Sequence, residues 1–171
     1  MNYKTFNKDK KYLTKILTIV SFILLDLLSK IFFEKYFTLG HEEFSILFGL
    51  IQFTYVQNTG AAFGSFSDST IFLTIISAIF VIAIVVFDVY YKKQNYLYAF
   101  SFSLIVAGAI GNLVDRLFLH YVRDFIKFAM FNFVCNIADI CICIGALLLI
   151  INMIVTEIKD KGKDNERQNN S

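Results

Sequence analysis

Four ionisable side chains lie inside long apolar runs, away from both ends: Asp26, Lys30, Asp115 and Arg116. Asp88 and Asp139 also fall within such runs, and Asp124 lies just past one. A charge at membrane depth costs on the order of 2.5–3.5 kcal/mol on insertion scales, so each asks for a partner or a function. Asn112 precedes Asp115 by three residues and Arg116 by four, so an amide, a carboxylate and a guanidinium share roughly one helix face. Asn136 and Asp139, three apart, share a face in the same way. Asp124 sits in the connector between these two runs, next to apolar Phe125 and Ile126, so the connector can lie down on a membrane and deliver its carboxylate to both clusters. Two carboxylates brought together cannot both ionise cheaply; one proton is shared, leaving one acid and one base near neutral pH. Such a dyad can activate water against a peptide carbonyl while protonating the carbonyl oxygen. The titration belongs to the pair, and which Asp is the base stays open.

Other polar residues have plainer readings. Asp26 and Lys30 are four apart, acid first, which suits an ion pair that fixes helix packing. Asp88, near the end of its run, reads as a solvated end residue. Gly108 and Gly111 permit close helix approach. Cys135, Cys141 and Cys143 are odd in number and read as small buried apolar residues. Cys135, Asp139 and Cys143 recur at four-residue intervals, which imitates ligand spacing, but no His joins them and a zinc site is not expected. His120 is the only His near the cluster, and no Cys stands in an activating setting for a Cys–His pair.

The elements that must position these groups are membrane helices. The chain is 57% hydrophobic and 18% charged, with 20 Phe and no Pro, too apolar to cover a water-facing surface and suited to unbroken helices in lipid. Runs at about 13–33, 70–91, 96–119 and 134–155 each approach the roughly 20 residues that cross a bilayer core. The first resembles a signal peptide but has no small-x-small cleavage site, so it reads as a retained helix. Between the first two runs, over about 36–66, Ile51–Gln57 alternates with period two and Asn58-Thr59-Gly60 and Gly64 mark a turn, which predicts a small sheet outside the membrane core. The expected fold is an all-α membrane protein of four transmembrane helices with a small extracytoplasmic β-sheet, one integral-membrane domain over 1–156, and a charged, disordered tail over 157–171. The lysine-rich N-terminus, Lys92, Lys93, Lys159, Lys161, Lys163 and Arg167 fall on one side, and only Lys35, Arg123 and Lys127 on the other. The positive-inside rule makes both termini cytoplasmic and places the sheet and Asp124 outside. A net charge of +2 with no basic stripe excludes nucleic acid as a partner.

Five segments together resemble the lipoprotein signal peptidase (signal peptidase II) family along most of the chain. Asp26-Leu27-Leu28-Ser29-Lys30 resembles D-x-x-S/T-K, Asn58-Thr59-Gly60-Ala61-Ala62-Phe63-Gly64 resembles N-x-G-A-A-F, and Gly108 to Arg116 resembles G-A-x-G-N-x-x-D-R. Val122-Arg123-Asp124-Phe125 resembles V-x-D-F, and Asn136-Ile137-Ala138-Asp139 resembles F-N-x-A-D. The resemblance implies a catalytic dyad at Asp124 and Asp139, with Asn58, Gly60, Asn112, Arg116 and Asn136 at the substrate site and Asp26, Lys30 and Asp115 as structural polar residues. It implies an aspartic endopeptidase of the bacterial cytoplasmic membrane, inhibited by globomycin, that cuts prolipoproteins just before a diacylglyceryl-modified Cys, with membrane lipids as neighbours, no metal or organic cofactor, and a monomeric state. The small Gly60-Ala61-Ala62 stretch would admit an extended peptide, and Phe63 and Phe66 would help cover it. Cys135, Ala107 and Arg123 depart from the usual residues, and Arg123 beside Asp124 is expected to favour that carboxylate's charged form. Two rival classes are an ion-coupled transporter, against which stand the lack of an inverted repeat and of a Gly/Pro-broken helix pair, and a non-catalytic scaffold using its polar groups as interhelical glue.

Overall fold

The computed structural model describes residues 3–60, 69–91, 95–131 and 133–169. Ala61, Ala62, Phe63, Gly64 and Phe66 of the expected cover, and the Lys92-Lys93 hinge, lie outside them. The order is α1 (Tyr3–Tyr36), β1 (Glu42–Ile46), β2 (Ile51–Asn58), α2 (Ser69–Tyr90), α3 (Tyr96–Leu119), β3 (Val122–Phe128), β4 (Val134–Cys135) and α4 (Ile137–Asn169), with a 3-10 turn at Leu47–Gly49. Among the described residues four helices are long and apolar enough to cross a membrane. The four-helix architecture with a small sheet is therefore present.

Helix α3 is central: 72% of its apolar span is buried within the protein, against 17% for α1, 22% for α4 and none for α2. Half of its buried residues are small: Ala99, Ser101, Ser103, Ala107, Gly108, Ala109 and Gly111. These let neighbouring backbones approach closely, which replaces the hydrophobic drive that lipid does not supply. A Cβ on Gly108 would collide with the Ala138 carbonyl of α4, and one on Gly145 of α4 would reach within 2.8 Å of the Ser101 carbonyl. Ser101 and Ser103 return their hydroxyls to Leu97 and Ala99 carbonyls at 2.6 and 2.7 Å, so neither is left unsatisfied. Large apolar side chains that remain exposed, such as Leu24, Ile79, Ile82 and Ile154, face lipid.

At one end of the bundle Lys15 pairs with Asp88 at 2.5 Å, and Tyr98 donates to the same carboxylate at 3.0 Å. The Lys15 ammonium also stands 5.2 Å from the Tyr98 ring centroid and 5.0 Å from that of Phe102. Asp88 is thus a tie between α1, α2 and α3 and not the solvated end residue its position suggests.

The opposite end carries one antiparallel sheet in the order β1-β2-β3-β4. The connector expected as a membrane-surface loop is strand β3, paired to β2 with Asp124 opposite Val56 and Val122 opposite Asn58. Val122 to Phe128 is rich in β-branched and aromatic residues, and β2 offers an edge for it to join. Val134 and Cys135, expected as the start of the fourth helix, instead pair with Lys127 and Ile126, so the helix begins at Ile137. Phe125 stacks on Phe33 of α1 with ring centroids 4.1 Å apart, and Phe53 stacks on Phe33 at 5.6 Å. This aromatic contact seats the sheet on the end of α1. Helix α3 ends at His120, a non-glycine residue in the left-handed region at φ 64°, which turns the chain at once into β3.

Both outer helices run past their apolar spans. Helix α1 begins at Tyr3, and α4 continues through Asn169, so the charged tail is helical and not irregular. Lys and Glu are good helix formers, no Pro interrupts them, and Glu157 and Lys161 lie 3.8 Å apart at i, i+4.

The close α3–α4 approach gives a prediction. Gly108→Val should lower the denaturation temperature in detergent by an amount corresponding to at least about 1–3 kcal/mol of overpacking. Gly162→Ala, where an added methyl meets nothing within 4 Å, should leave it unchanged or slightly higher.

Candidate active site

One face of α1 carries Asp26, Lys30 and Glu34 at four-residue steps. The middle residue organises the site. Lys30 is completely buried, 2.8 Å from Asp26 Oδ2 and 3.4 Å from Asp115 Oδ2 of α3, and it donates to Asn112 Oδ1 at 2.9 Å. Asp26 Oδ1 accepts the Ala138 N–H at 2.9 Å, one of the first-turn donors of α4 that have no partner within the helix. Its Oδ2 faces the ammonium as an ion pair without hydrogen-bond alignment. Gly111 is required here because the Asp26 carboxylate occupies the place of its missing Cβ.

Asp115 turns toward β3. It takes the Arg123 backbone N–H at 3.0 Å, Nε at 3.3 Å and Nη2 at 2.6 Å. Arg123 Nη1 continues to Glu34 at 2.8 Å. This fork clamps β3 to α1 and α3. Successive strand residues point to opposite faces, so Arg123 is directed away from Asp124. The expectation that Arg123 favours the charged form of Asp124 is therefore corrected: the guanidinium is committed to Asp115 and Glu34.

Asp124 projects from the other face of β3 and is 1% exposed. Its Oδ2 accepts from Asn58 Nδ2 at 2.8 Å and its Oδ1 from Asn136 Nδ2 at 2.6 Å. Asp139 is only partly buried and is held by a reciprocal cap at the start of α4. The Asn136 N–H donates to Asp139 Oδ2 at 3.2 Å, and the Asp139 N–H donates to Asn136 Oδ1 at 3.0 Å. Asn112 Nδ2 donates to Asp139 Oδ1 at 2.7 Å. The amide orientations are fixed by this chemistry. Asn112 turns its oxygen to the Lys30 ammonium and to Asn136 Nδ2 at 3.1 Å, which leaves its nitrogen for Asp139. Asn136 therefore stands between the two carboxylates, its side-chain nitrogen on Asp124 and its oxygen and backbone on Asp139.

Burial pushes the Asp124 carboxyl up to about 6, with the negative charge of Asp139 adding to the effect and the Asn58 and Asn136 hydrogen bonds opposing it. Cys135, beside the cluster, has its thiol pushed up to about 12 by burial and by both aspartates, so it carries no thiolate at neutral pH. Cys135 and Cys141 are buried as expected, whereas Cys143 is exposed. Its position on α4 turns it out of the bundle.

Arg116 is half-buried and close enough for its charge to act on Asp139, Asp124 and Asp115; its one hydrogen bond among the described residues is a long one, 3.5 Å to the Asn112 carbonyl. Gly60 lies in the left-handed region at φ 77° and gives its N–H to Asn58 Oδ1 at 2.8 Å. A Cβ there would also displace the end of the Leu73 side chain of α2, but it is the backbone conformation that calls for glycine. The structure thus joins Asn58, Asn112, Asn136, Asp124 and Asp139 in one network, with Asp26, Lys30 and Asp115 beneath it.

Glu34 was missed by sequence reasoning. It accepts from Arg123, from Tyr55 OH at 3.3 Å and from Tyr121 OH at 3.2 Å. Its signal was available, because it is the next four-residue step after Asp26 and Lys30.

A solved structure described as "Bacterial membrane enzyme structure by the in meso method at 1.9 A resolution" is similar at a TM-score of 0.75 and 33% identity, covering 82% of this chain and 92% of that one. A second, solved by the same method at 2.3 Å, gives 0.73 and 33%, covering 82% and 87%. Fold and site thus define the class, a bacterial membrane enzyme. The chain belongs to the signal peptidase (SPase) II family, whose model matches residues 18–155. The lipoprotein signal peptidase of Clostridium acetobutylicum is 34% identical over 154 residues, 87% of this chain and 99% of that relative. That of Lactobacillus johnsonii is 38% identical over 157 residues, 90% and 99%, and that of Caldicellulosiruptor bescii 42% over 131 residues, 77% and 84%.

Lys30→Met should destabilise the protein by about 3–5 kcal/mol, because it strands Asp26 as a buried carboxylate without its cation, while Asp115 keeps Arg123. Thermal unfolding in detergent measures this, and Lys30→Met combined with Asp26→Asn should recover part of the loss.

Proposed function

We propose that the chain is an aspartic endopeptidase that removes signal peptides from prolipoproteins, cutting just before a cysteine that already carries diacylglycerol, with Asp124 and Asp139 as its catalytic pair. The single observation that carries this reading is the joint anchoring of two carboxylates from different elements by one residue, Asn136, through its side-chain nitrogen on Asp124 and its backbone N–H on Asp139. Family membership favours it over an ion-coupled transporter or a non-catalytic scaffold.

In this reading the reactive form of the pair holds one proton. The ionised member takes a proton from a water molecule as that water attacks the scissile carbonyl, and the protonated member donates to the carbonyl oxygen. The proton then passes to the leaving amine. Asp139, partly exposed at the start of α4, and Asp124, buried under the sheet, differ in solvation, which supports a division of roles that belongs to the coupled pair. Asn58, Asn112 and Asn136 hold both groups in place before substrate arrives, so little reorganisation accompanies reaction. Arg116, whose guanidinium has only the long bond noted above among the described residues, would hold polar groups of the lipidated substrate. The acyl chains would enter sideways from the bilayer. We place the sheet and the pair on the extracytoplasmic face, both termini in the cytoplasm, and the working enzyme as a monomer.

Asp124→Asn and Asp139→Asn should each insert and fold, yet cut a synthetic diacylated prolipoprotein at least about a thousandfold more slowly, read as a mass shift in detergent. Full cleavage by either variant refutes the assignment, and globomycin should block what the unaltered protein does. The kcat/KM profile should decline as pH rises through about 6, where the free enzyme loses the proton shared by the pair. Asn58→Ala, which removes a hydrogen bond to the ionised form, should move that decline upward by up to about one pH unit. A downward movement would contradict the role given to Asn58.

A further inference from the structure

Strand β2 changes register partway along β3. From Ile51 to Phe53 it pairs with Phe128 to Ile126, and from Val56 to Asn58 it pairs with Asp124 to Val122. Thr54 and Tyr55 therefore stand opposite Phe125 alone, a β-bulge with one extra residue in β2. Thr54 keeps a partner in Glu42 of β1, so Tyr55 is the extra one.

That residue decides which side chain meets Asp124. Directly opposed residues of an antiparallel pair share a face, and a slip of one residue turns every side chain over. With the bulge, Asn58 lies opposite Val122 and so on the face of Asp124, where its Nδ2 reaches Oδ2 at 2.8 Å. If the register of Ile51–Phe53 continued unbroken, Gln57 would lie opposite Val122 and Asn58 would point to the other face. Phe53, stacked on Phe33 of α1, holds the first register, so contact between Asn58 and Asp124 requires the insertion.

Tyr55 is tied down by backbone and side chain. Its carbonyl accepts the Gly40 N–H at 2.8 Å, and its ring is buried. Its hydroxyl donates to Glu34 Oε1 at 3.3 Å and accepts from Gln57 Nε2 at 3.3 Å. Burial pushes the phenol up, so it stays a donor throughout the working pH range. Glu34 Oε1 also takes the Tyr121 hydroxyl at 3.2 Å, and Oε2 takes Arg123 Nη1 at 2.8 Å. Tyr121 and Arg123 flank Val122, the residue opposite Asn58. One carboxylate near the end of α1 thus holds the bulge of β2 and the facing part of β3 together.

We propose that Glu34 and Tyr55 are positioning residues for cleavage, which together fix the one-residue insertion in β2 that turns Asn58 toward Asp124. Their role rests on Asp124 and Asp139 being the catalytic pair, and it extends the control of that pair to a carboxylate that touches neither member.

The full chain in detergent is assayed on the synthetic diacylated prolipoprotein, with Tyr55→Phe and Glu34→Ala each made alone and combined with Asn58→Ala. Tyr55→Phe removes one hydroxyl and leaves the ring and every charge in place. It should lower kcat about threefold, and Glu34→Ala about tenfold, with KM within about twofold. Combined with Asn58→Ala, neither should lower kcat by more than about 1.5-fold further, because the group they position is gone. A general loosening of the fold would lower kcat by the same factor in both backgrounds, and that result overturns the proposal. So does a kcat unchanged by either single substitution. If Glu34→Ala does not fold, the Tyr55→Phe cycle decides alone. Full cleavage by Asp124→Asn would remove the catalytic pair itself, whereas failure of these cycles leaves the pair standing.

Discussion

The buried ammonium of Lys30 is the contact on which the rest of the site depends. It joins two carboxylates and an amide from two helices in a place no water reaches. Leaving one such ion unpaired costs several kcal/mol, so α1 and α3 can adopt only the register that brings Asp26, Asp115 and Asn112 together. That register orients the amide of Asn112, which in turn presents its nitrogen to Asp139. A structural ion pair thus reaches the proposed chemistry through a single side chain. The glycines belong to the same constraint, since Gly111 yields its space to the Asp26 carboxylate.

Strand β3 does a different task with neighbouring residues. Arg123 and Phe125 face the helices, one as an ionic clamp and the other as an aromatic seat, while Asp124 between them faces Asn58 and Asn136. The alternation of a strand separates anchoring from the proposed chemistry within three residues. On a loop, Asp124 would lack the backbone pairing that fixes its direction.

The parts of this arrangement governed by local spacing were legible in the chain. Asn112 with Asp115, Asn136 with Asp139 and Asp26 with Lys30 each share a helix turn, and helical periodicity alone places them on common faces. Apolar run length carried the membrane helices. The connector's strand character was not legible, because it depends on β2, which pairs with it from 64–77 residues earlier in the chain. The direction of Arg123 failed for the same reason: adjacency in sequence suggested contact with Asp124, and strand pleating forbids it. Asp88 looked like an end residue because its partners Lys15 and Tyr98 come from other helices. The helical tail was obscured by its charge, which excludes a packed core but not a solvated helix.

The four-residue step between Asp26 and Lys30 matters to how such a protein enters the bilayer. Helix α1 is synthesised long before Asp115 or Asn112 exists. It carries its own counter-ion one turn away, so the first segment can partition as a neutral unit and wait for its distant partners. Assembly then amounts to an exchange inside lipid, in which an ammonium shared with one carboxylate becomes shared with two, and no bare charge need cross the hydrocarbon on the way.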